Sequence, residues 1–186
     1  MTAAWVFGYG SLVSPASMAT TIGRPVAAPD VRIADLAGFG RRWNYGSMHL
    51  RGSWSHAGVD IVDGLVVSLG LAAADTESCN GVIVRVDGDE LAALDWRERD
   101  YERTDVSDRI RVLDGEAMSE PVVTYVPRPS AIERYERGRD EGRAAVRRSY
   151  WDLVHDAFAA LGGDHAARLS ATPQPDIPVV DITLAR

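Results

Sequence analysis

The stretch Val6-Phe7-Gly8-Tyr9-Gly10-Ser11-Leu12 constrains this chain more than any other. Trp5, Val6 and Phe7 read as a short buried strand. Gly8 and Gly10 follow, and glycine lets a backbone turn tightly or approach a neighbour where a side chain would block it. The amides of Gly10, Ser11 and Leu12 then leave the strand end in succession, and such N–H groups can form a concave anion site. In isolation the loop keeps two other readings. One is a plain tight turn. The other is a dinucleotide fingerprint whose third glycine is missing, since Val13 occupies that position. The serine does not sit between glycines as a nucleophile elbow requires.

The rest of the chain supplies short strands first and helices later. Ser14-Pro15 suits the cap and first position of a helix to Ile22. Val31 to Leu36 alternates as a strand does. Trp43 to His56 is polar, aromatic and without period, and reads as a functional or packing loop. Leu65–Leu71 and Gly81–Val86 are apolar, β-branched strands separated by the polar segment 72–80. A helix is expected from Asp87, with Glu90 in capping-box position, to Arg99. Strands follow at 106–112 and 121–126, with Asp114-Gly115 as a turn. Val146, Tyr150, Leu153, Val154, Ala157, Phe158 and Leu161 recur at helical spacing between Gly142 and Leu161, and Gly162-Gly163 caps that helix. A short helix over 164–169 and a proline-spaced tail close the chain. This order implies an α+β fold with a mostly antiparallel sheet or small barrel. It reads as one domain over 1–186, with a barrel core to about 127, a helical part over about 128–170 and an extended tail over 171–186.

One residue breaks its pattern. Leu91 and Leu94 mark the apolar stripe of the helix from Asp87, and the same stripe continues to Glu98 and Tyr101. A carboxylate therefore falls where a leucine is expected. Buried there, Glu98 would have its pKa raised and would suit general acid–base work. The alternative is a helix that ends near Trp96, leaving Glu98 exposed and paired with Arg97, Arg99 or Arg103.

Composition removes several chemistries. All 20 basic residues are arginine, so no lysine exists for a Schiff base, a pyridoxal phosphate link or a phosphate-loop NTPase. The net charge of -7 argues against nucleic-acid binding. The lone Cys79 allows no internal disulfide and fits a reducing compartment. Met1 to Trp5 shows no leader pattern and no run is long enough to span a bilayer, so a soluble, cytoplasmic protein is expected. His49, His56, His155 and His165 lack ligand spacing, so no metal is expected.

Taken together, Phe7-Gly8-Tyr9-Gly10-Ser11-Leu12, Gly38-Phe39-Gly40-Arg41-Arg42-Trp43, Arg51-Gly52-Ser53, Gly81-Val82-Ile83 and Leu94-Asp95-Trp96-Arg97-Glu98 with Tyr101 follow one another at characteristic spacing. In this the chain resembles the γ-glutamylcyclotransferase superfamily, and within it the ChaC-like branch, over about its first 125 residues. Ser53 stands where that branch usually has threonine, and the region after Pro127 matches less well. The resemblance implies a small β-barrel flanked by helices. It implies that Tyr9, Gly10, Ser11 and Leu12 grip a γ-glutamyl group, that Glu98 is the catalytic acid/base, and that Arg51, Tyr101 and Tyr125 contribute to the pocket. It implies no cofactor and a small-molecule γ-glutamyl partner, with glutathione, a γ-glutamyl dipeptide or a γ-glutamylamine as candidate substrates. Arg41, Arg42 and Arg51 are candidates for attracting a substrate carboxylate.

Such a substrate carries its own nucleophile, so a chain without lysine is no obstacle. The α-amine attacks the γ-carbonyl, 5-oxoproline closes, and the amine or peptide leaves. Two other functions stay compatible with the sequence: a non-catalytic γ-glutamyl or amino-acid binding module on the same scaffold, and an interaction protein that docks through Tyr150, Val154 and Phe158.

Overall fold

The computed structural model describes residues 3–115 and 118–185. Met1 and Thr2, part of the segment read for a leader, lie outside these, as does Arg186 at the end of the tail.

The first strand, β1 (Ala4–Gly8), is buried at every position. It is buried because it is clamped on both edges: antiparallel to the later half of β3 (Val59–Val86) and parallel to β6 (Val122–Pro127). After a single 3-10 turn at Ser11–Val13, helix α1 (Pro15–Ile22) starts with Ser14 as its cap and ends at Gly23, whose φ of 75° is open to glycine at little cost.

Most of the sheet is one hairpin, β2 (Val31–His56) against β3. Its two-residue turn, Ala57-Gly58, has φ values of 50° and 79°. Positive φ at both turn residues matches the right-handed strand twist. The segment 43–56, expected to be a loop, is the outer half of β2, and the polar segment 72–80 belongs to β3. The physical reason is in the ladder. Register shifts between Ala37 and Phe39, Arg42 and Tyr45, Gly46 and Arg51, and Gly52 and Trp54 interrupt the inward–outward alternation. Bulges of this kind bend and coil a long strand, and they erase the period-two pattern that identifies it.

Helix α2 (Gly88–Arg97) has the expected capping box: Asp87 accepts from the amides of Asp89 and Glu90, and Glu90 accepts from the Asp87 amide, all at 2.9 Å. It stops two residues before the expected Arg99. The strand expected over 106–112 is β5 (Ile110–Val112), preceded by a 3-10 turn, while β4 (Tyr101–Asp105) starts soon after α2 ends. The sheet order is β4-β6-β1-β3-β2-β5, curled into a half-barrel, so the α+β reading with a mostly antiparallel, barrel-like sheet stands.

Helix α3 (Pro129–Asp140) lies beyond β6. The helix expected to start at Gly142 starts later, as α4 (Arg148–Ala160), because Ala144–Arg147 is a strand, β7, parallel to β3. Helix α5 (His165–Ser170) follows, and the tail adds two short strands, β8 (Val179–Val180) on β7 and β9 (Thr183–Leu184) on β2. Val154 and Phe158 are fully buried in the core with Phe7, Leu36 and Ile83, and Tyr150 is half-buried. The α4 face is therefore spent on the core, which removes the docking reading.

Candidate active site

The turn after β1 is shaped by close approach. A Cβ on Gly8 would lie 2.9 Å from Leu12 Cβ, and one on Gly10 would lie 3.0 Å from the Tyr150 hydroxyl. Gly8 is thus needed where the turn packs on Leu12, Gly10 sits tight against the tip of Tyr150, and neither has positive φ. The Gly10 carbonyl accepts from the Val13 amide at 3.0 Å, which folds the loop back into the 3-10 turn.

Glu98 is the residue following α2. Its amide still bonds the Leu94 carbonyl at 2.8 Å, and its carbonyl accepts from the Tyr101 amide at 2.8 Å. Each sequence reading of Glu98 is half right. The helix does end near Trp96, and Glu98 does pair with Arg97, at 3.0 Å to Oε1. Yet its side chain is only 14% exposed. Burial pushes the Glu98 carboxyl above the usual carboxylate range, and the Arg97 guanidinium draws it part of the way back.

Arg97 also joins Glu98 to the loop. Its Nη2 donates to Ser11 Oγ at 2.9 Å and Ser17 Oγ at 3.1 Å, and its Nη1 donates to Thr21 Oγ1 at 2.7 Å and the Ser17 carbonyl at 3.0 Å. The Ser11 hydroxyl is therefore an acceptor for arginine. Sequence reasoning does not reach this bridging role, although Arg97 stands next to Glu98 in the motif.

Four tyrosines enclose the rest. Tyr9 donates to the Tyr125 carbonyl at 2.7 Å, Tyr101 to the Leu69 carbonyl at 3.1 Å, and Tyr125 to Asp95 Oδ1 at 2.9 Å. Tyr101 stacks on Tyr45 with ring centres 4.1 Å apart. The fourth, Tyr150 from α4, accepts from the Leu69 amide at 3.4 Å. Burial pushes its phenol up to about 12, so it stays protonated at neutral pH. Burial likewise raises Tyr9, Tyr101 and Tyr125, with the charge of Glu98 contributing to each. In the sequence Tyr150 is only a helix-stripe residue. Nothing local marks it, because it reaches the site through the packing of α4.

These groups line one cavity of about 320 Å³, counted out to its open mouth: Tyr9, Gly10, Ser11, Leu12, Glu98, Tyr101, Tyr125 and Tyr150, with Phe7 and Leu69 as its floor. It opens past Glu98 and Tyr101 into a wider basin of about 970 Å³ whose rim carries Arg97, Arg99 and Arg147. Arg51 lines neither space. It pairs with Leu65 across the hairpin, and its carbonyl accepts from the Ala185 amide at 2.9 Å. Arg41 and Arg42 line a separate cavity, and Arg42 is paired with Glu77 at 2.5 Å. Among the described residues, no group of three or more His, Cys, Asp or Glu side chains is placed to hold a metal ion. Among them, too, no helix is long and apolar enough to cross a membrane.

Comparison with solved structures shows the same fold in a protein described as a γ-glutamyl cyclotransferase, with 15% identity, 94% of this chain and 90% of the other covered, and a TM-score of 0.56. The glutathione-specific γ-glutamyl cyclotransferase from yeast aligns over 95% of this chain and 90% of its own, with 13% identity and a TM-score of 0.53. An uncharacterized protein from Homo sapiens aligns over 95% and 91%, with 15% identity and a TM-score of 0.51. At these identities the likeness is one of fold. No curated protein gives a significant match. The model of the ChaC-like protein family matches residues 4–145, which takes in the β1 loop, the whole hairpin, Glu98 and the tyrosines of β4 and β6, and on that match the chain belongs to the ChaC-like family.

Proposed function

We propose that this protein is a γ-glutamylcyclotransferase that releases 5-oxoproline from a γ-glutamyl compound, with Glu98 as the general acid and base. The observation that carries this reading is a buried, proton-hungry carboxylate sharing one small cavity with the Gly10–Leu12 loop. The family match and the fold support the reaction class.

The chemistry follows from the substrate. The cavity holds the γ-glutamyl group folded so that its α-nitrogen faces its own γ-carbonyl, and such a near-attack pose supplies much of the acceleration. Glu98 takes a proton from the α-ammonium. The freed amine attacks the γ-carbon, the ring closes, and the C–N bond to the leaving group breaks. Glu98 then returns its proton to the departing nitrogen, and the second proton of the ring nitrogen passes to the freed amine, which leaves as its ammonium. A carboxyl raised by burial suits both tasks better than an ordinary one, since its proton affinity lies nearer that of the groups it serves. Loop N–H groups and the Tyr150 hydroxyl are the donors available to a carbonyl oxygen that gains charge.

The leaving group points into the outer basin. Among the described residues neither Arg99 nor Arg147 is bonded to a carboxylate there, which favours γ-glutamyl peptides, whose leaving groups carry one, over γ-glutamylamines. The test is a panel of γ-glutamyl substrates assayed for 5-oxoproline, with Glu98→Gln alongside. The variant is expected to remain folded and to bind substrate while losing nearly all turnover. Wild-type protein that binds the panel but forms no 5-oxoproline would instead favour the non-catalytic binding module.

A further inference from the structure

On the far side of the Tyr9–Gly10 turn lies a second cavity, of about 520 Å³ out to its open mouth, between the hairpin and the end of α5. Arg41 is its anomaly. The residue is 5% exposed, and among the described residues it has no carboxylate partner. It bonds neutral oxygens instead. Nε donates to the Tyr9 carbonyl at 2.8 Å, Nη2 to the Asn80 carbonyl at 2.5 Å and Asn80 Oδ1 at 3.2 Å, and Nη1 to Thr172 Oγ1 at 3.3 Å. These bonds engage at most four of its five N–H groups. The Phe158 ring, 4.7 Å from the guanidinium carbon, adds a cation–π contact. A buried charge without a counter-charge is costly, and arginine does not escape the cost by losing its proton.

Nearby acids are already engaged. Glu77 holds Arg42 at 2.5 Å, and Asp35 holds both Arg111 and Arg168 at 2.7 Å. Four guanidiniums (Arg41, Arg42, Arg111, Arg168) thus stand against two carboxylates. That local excess of two positive charges occurs in a chain whose net charge is -7. The Thr172 hydroxyl accepts from Arg41, and no group among the described residues accepts its proton.

We propose that this cavity is a second ligand site, which takes a small dianionic oxyanion of the phosphate type on Arg41, Arg168 and Thr172. The charge excess matches a dianion better than a monocarboxylate. Guanidinium forks fit phosphate oxygens, and the Thr172 proton supplies one further bond. Through the Arg41–Tyr9 bond, the occupant sits one side chain behind the loop that faces Glu98.

The site is tested by titrating the full chain with inorganic phosphate at constant ionic strength, with acetate and chloride as control arms, followed by calorimetry and thermal melting. Saturable binding of one phosphate with a raised Tm is expected, and neither control should reproduce it. Arg168→Gln and Thr172→Val leave the Arg41–Tyr9 bond in place. Either is expected to weaken phosphate at least tenfold in protein that melts cooperatively without phosphate, even where the lost Asp35 or Arg41 contact lowers its Tm. The proposal is overturned by wild-type protein that shows no saturable binding, by acetate binding as tightly as phosphate, or by unchanged affinity in both variants.

Discussion

In front of the Tyr9–Gly10 turn stands Glu98; behind it stands Arg41. Both are charged groups taken largely out of water, and the molecule treats them differently. Glu98 has one arginine beside it and a cavity before it that leads to solvent. Its environment leaves its proton affinity raised, so it can change state nearer neutral pH. Arg41 cannot change state, and its surroundings solvate it with carbonyl, amide and hydroxyl oxygens. On the readings proposed above, the front charge serves the chemistry, whereas the rear charge braces the back of the loop and binds an oxyanion.

That contrast breaks most sharply at Glu98. Glu98→Gln is expected to lower the rate of 5-oxoproline formation by about 10²–10⁴-fold, and wild-type turnover in the variant would remove Glu98 from the mechanism. Its stability should move the other way. A carboxyl whose folded pKa is raised opposes folding increasingly as pH rises from its unfolded value through the folded one. Glu98→Gln should therefore melt at or above the wild-type Tm at pH 7, and the advantage should vanish once the pH falls below the ordinary carboxylate range, where both side chains are neutral. A Tm that falls at pH 7 would mean that the carboxylate stabilises the fold.

Arg41→Met addresses the other side. It leaves the carbonyls of Tyr9 and Asn80 without their donor, and the expected loss is about 3 kcal/mol in urea unfolding. No loss would mean that water replaces the guanidinium freely. Arg97→Gln is the intermediate case, because Arg97 lowers the Glu98 pKa and also holds Ser11. Removing it is expected to move the acid limb of the kcat/KM profile to higher pH, with activity partly recovered above that limb. An unmoved limb, with activity reduced equally at every pH, would make Arg97 a purely structural brace. Tyr150→Phe should cost least, about 1 kcal/mol in kcat/KM, and no change would take its hydroxyl out of the reaction.

Much of the front side is legible in the residues alone. The run from Val6 to Leu12, the capping box at Asp87 and the out-of-pattern Glu98 are local signals, each carried by residues within one turn or one strand. The sequence reading errs where order depends on partners far along the chain. Residues 43–56 form a strand because β3 returns beside them, and their bulges hide the alternation. Ala144–Arg147 continues the helical spacing of α4 yet pairs with β3, since the sheet edge offers its backbone partners that a helix would leave unused. Arg51 carries the expected motif but lies on a stretch of hairpin away from the cavity.

Residue content and short-range pattern set the chemistry on offer: no lysine, one buried-strand-and-glycine loop, and a carboxylate at a helix end. These follow from composition and from periodicities only a few residues long. Which groups meet is a matter of long-range packing. Arg97 spans Glu98 and Ser11, Tyr150 arrives from α4, and Arg41 passes to the back of the loop. The physical reason is that a coiled 26-residue strand and its 28-residue partner set these side chains in place through register shifts and long-range packing. Sequence spacing carries no record of either.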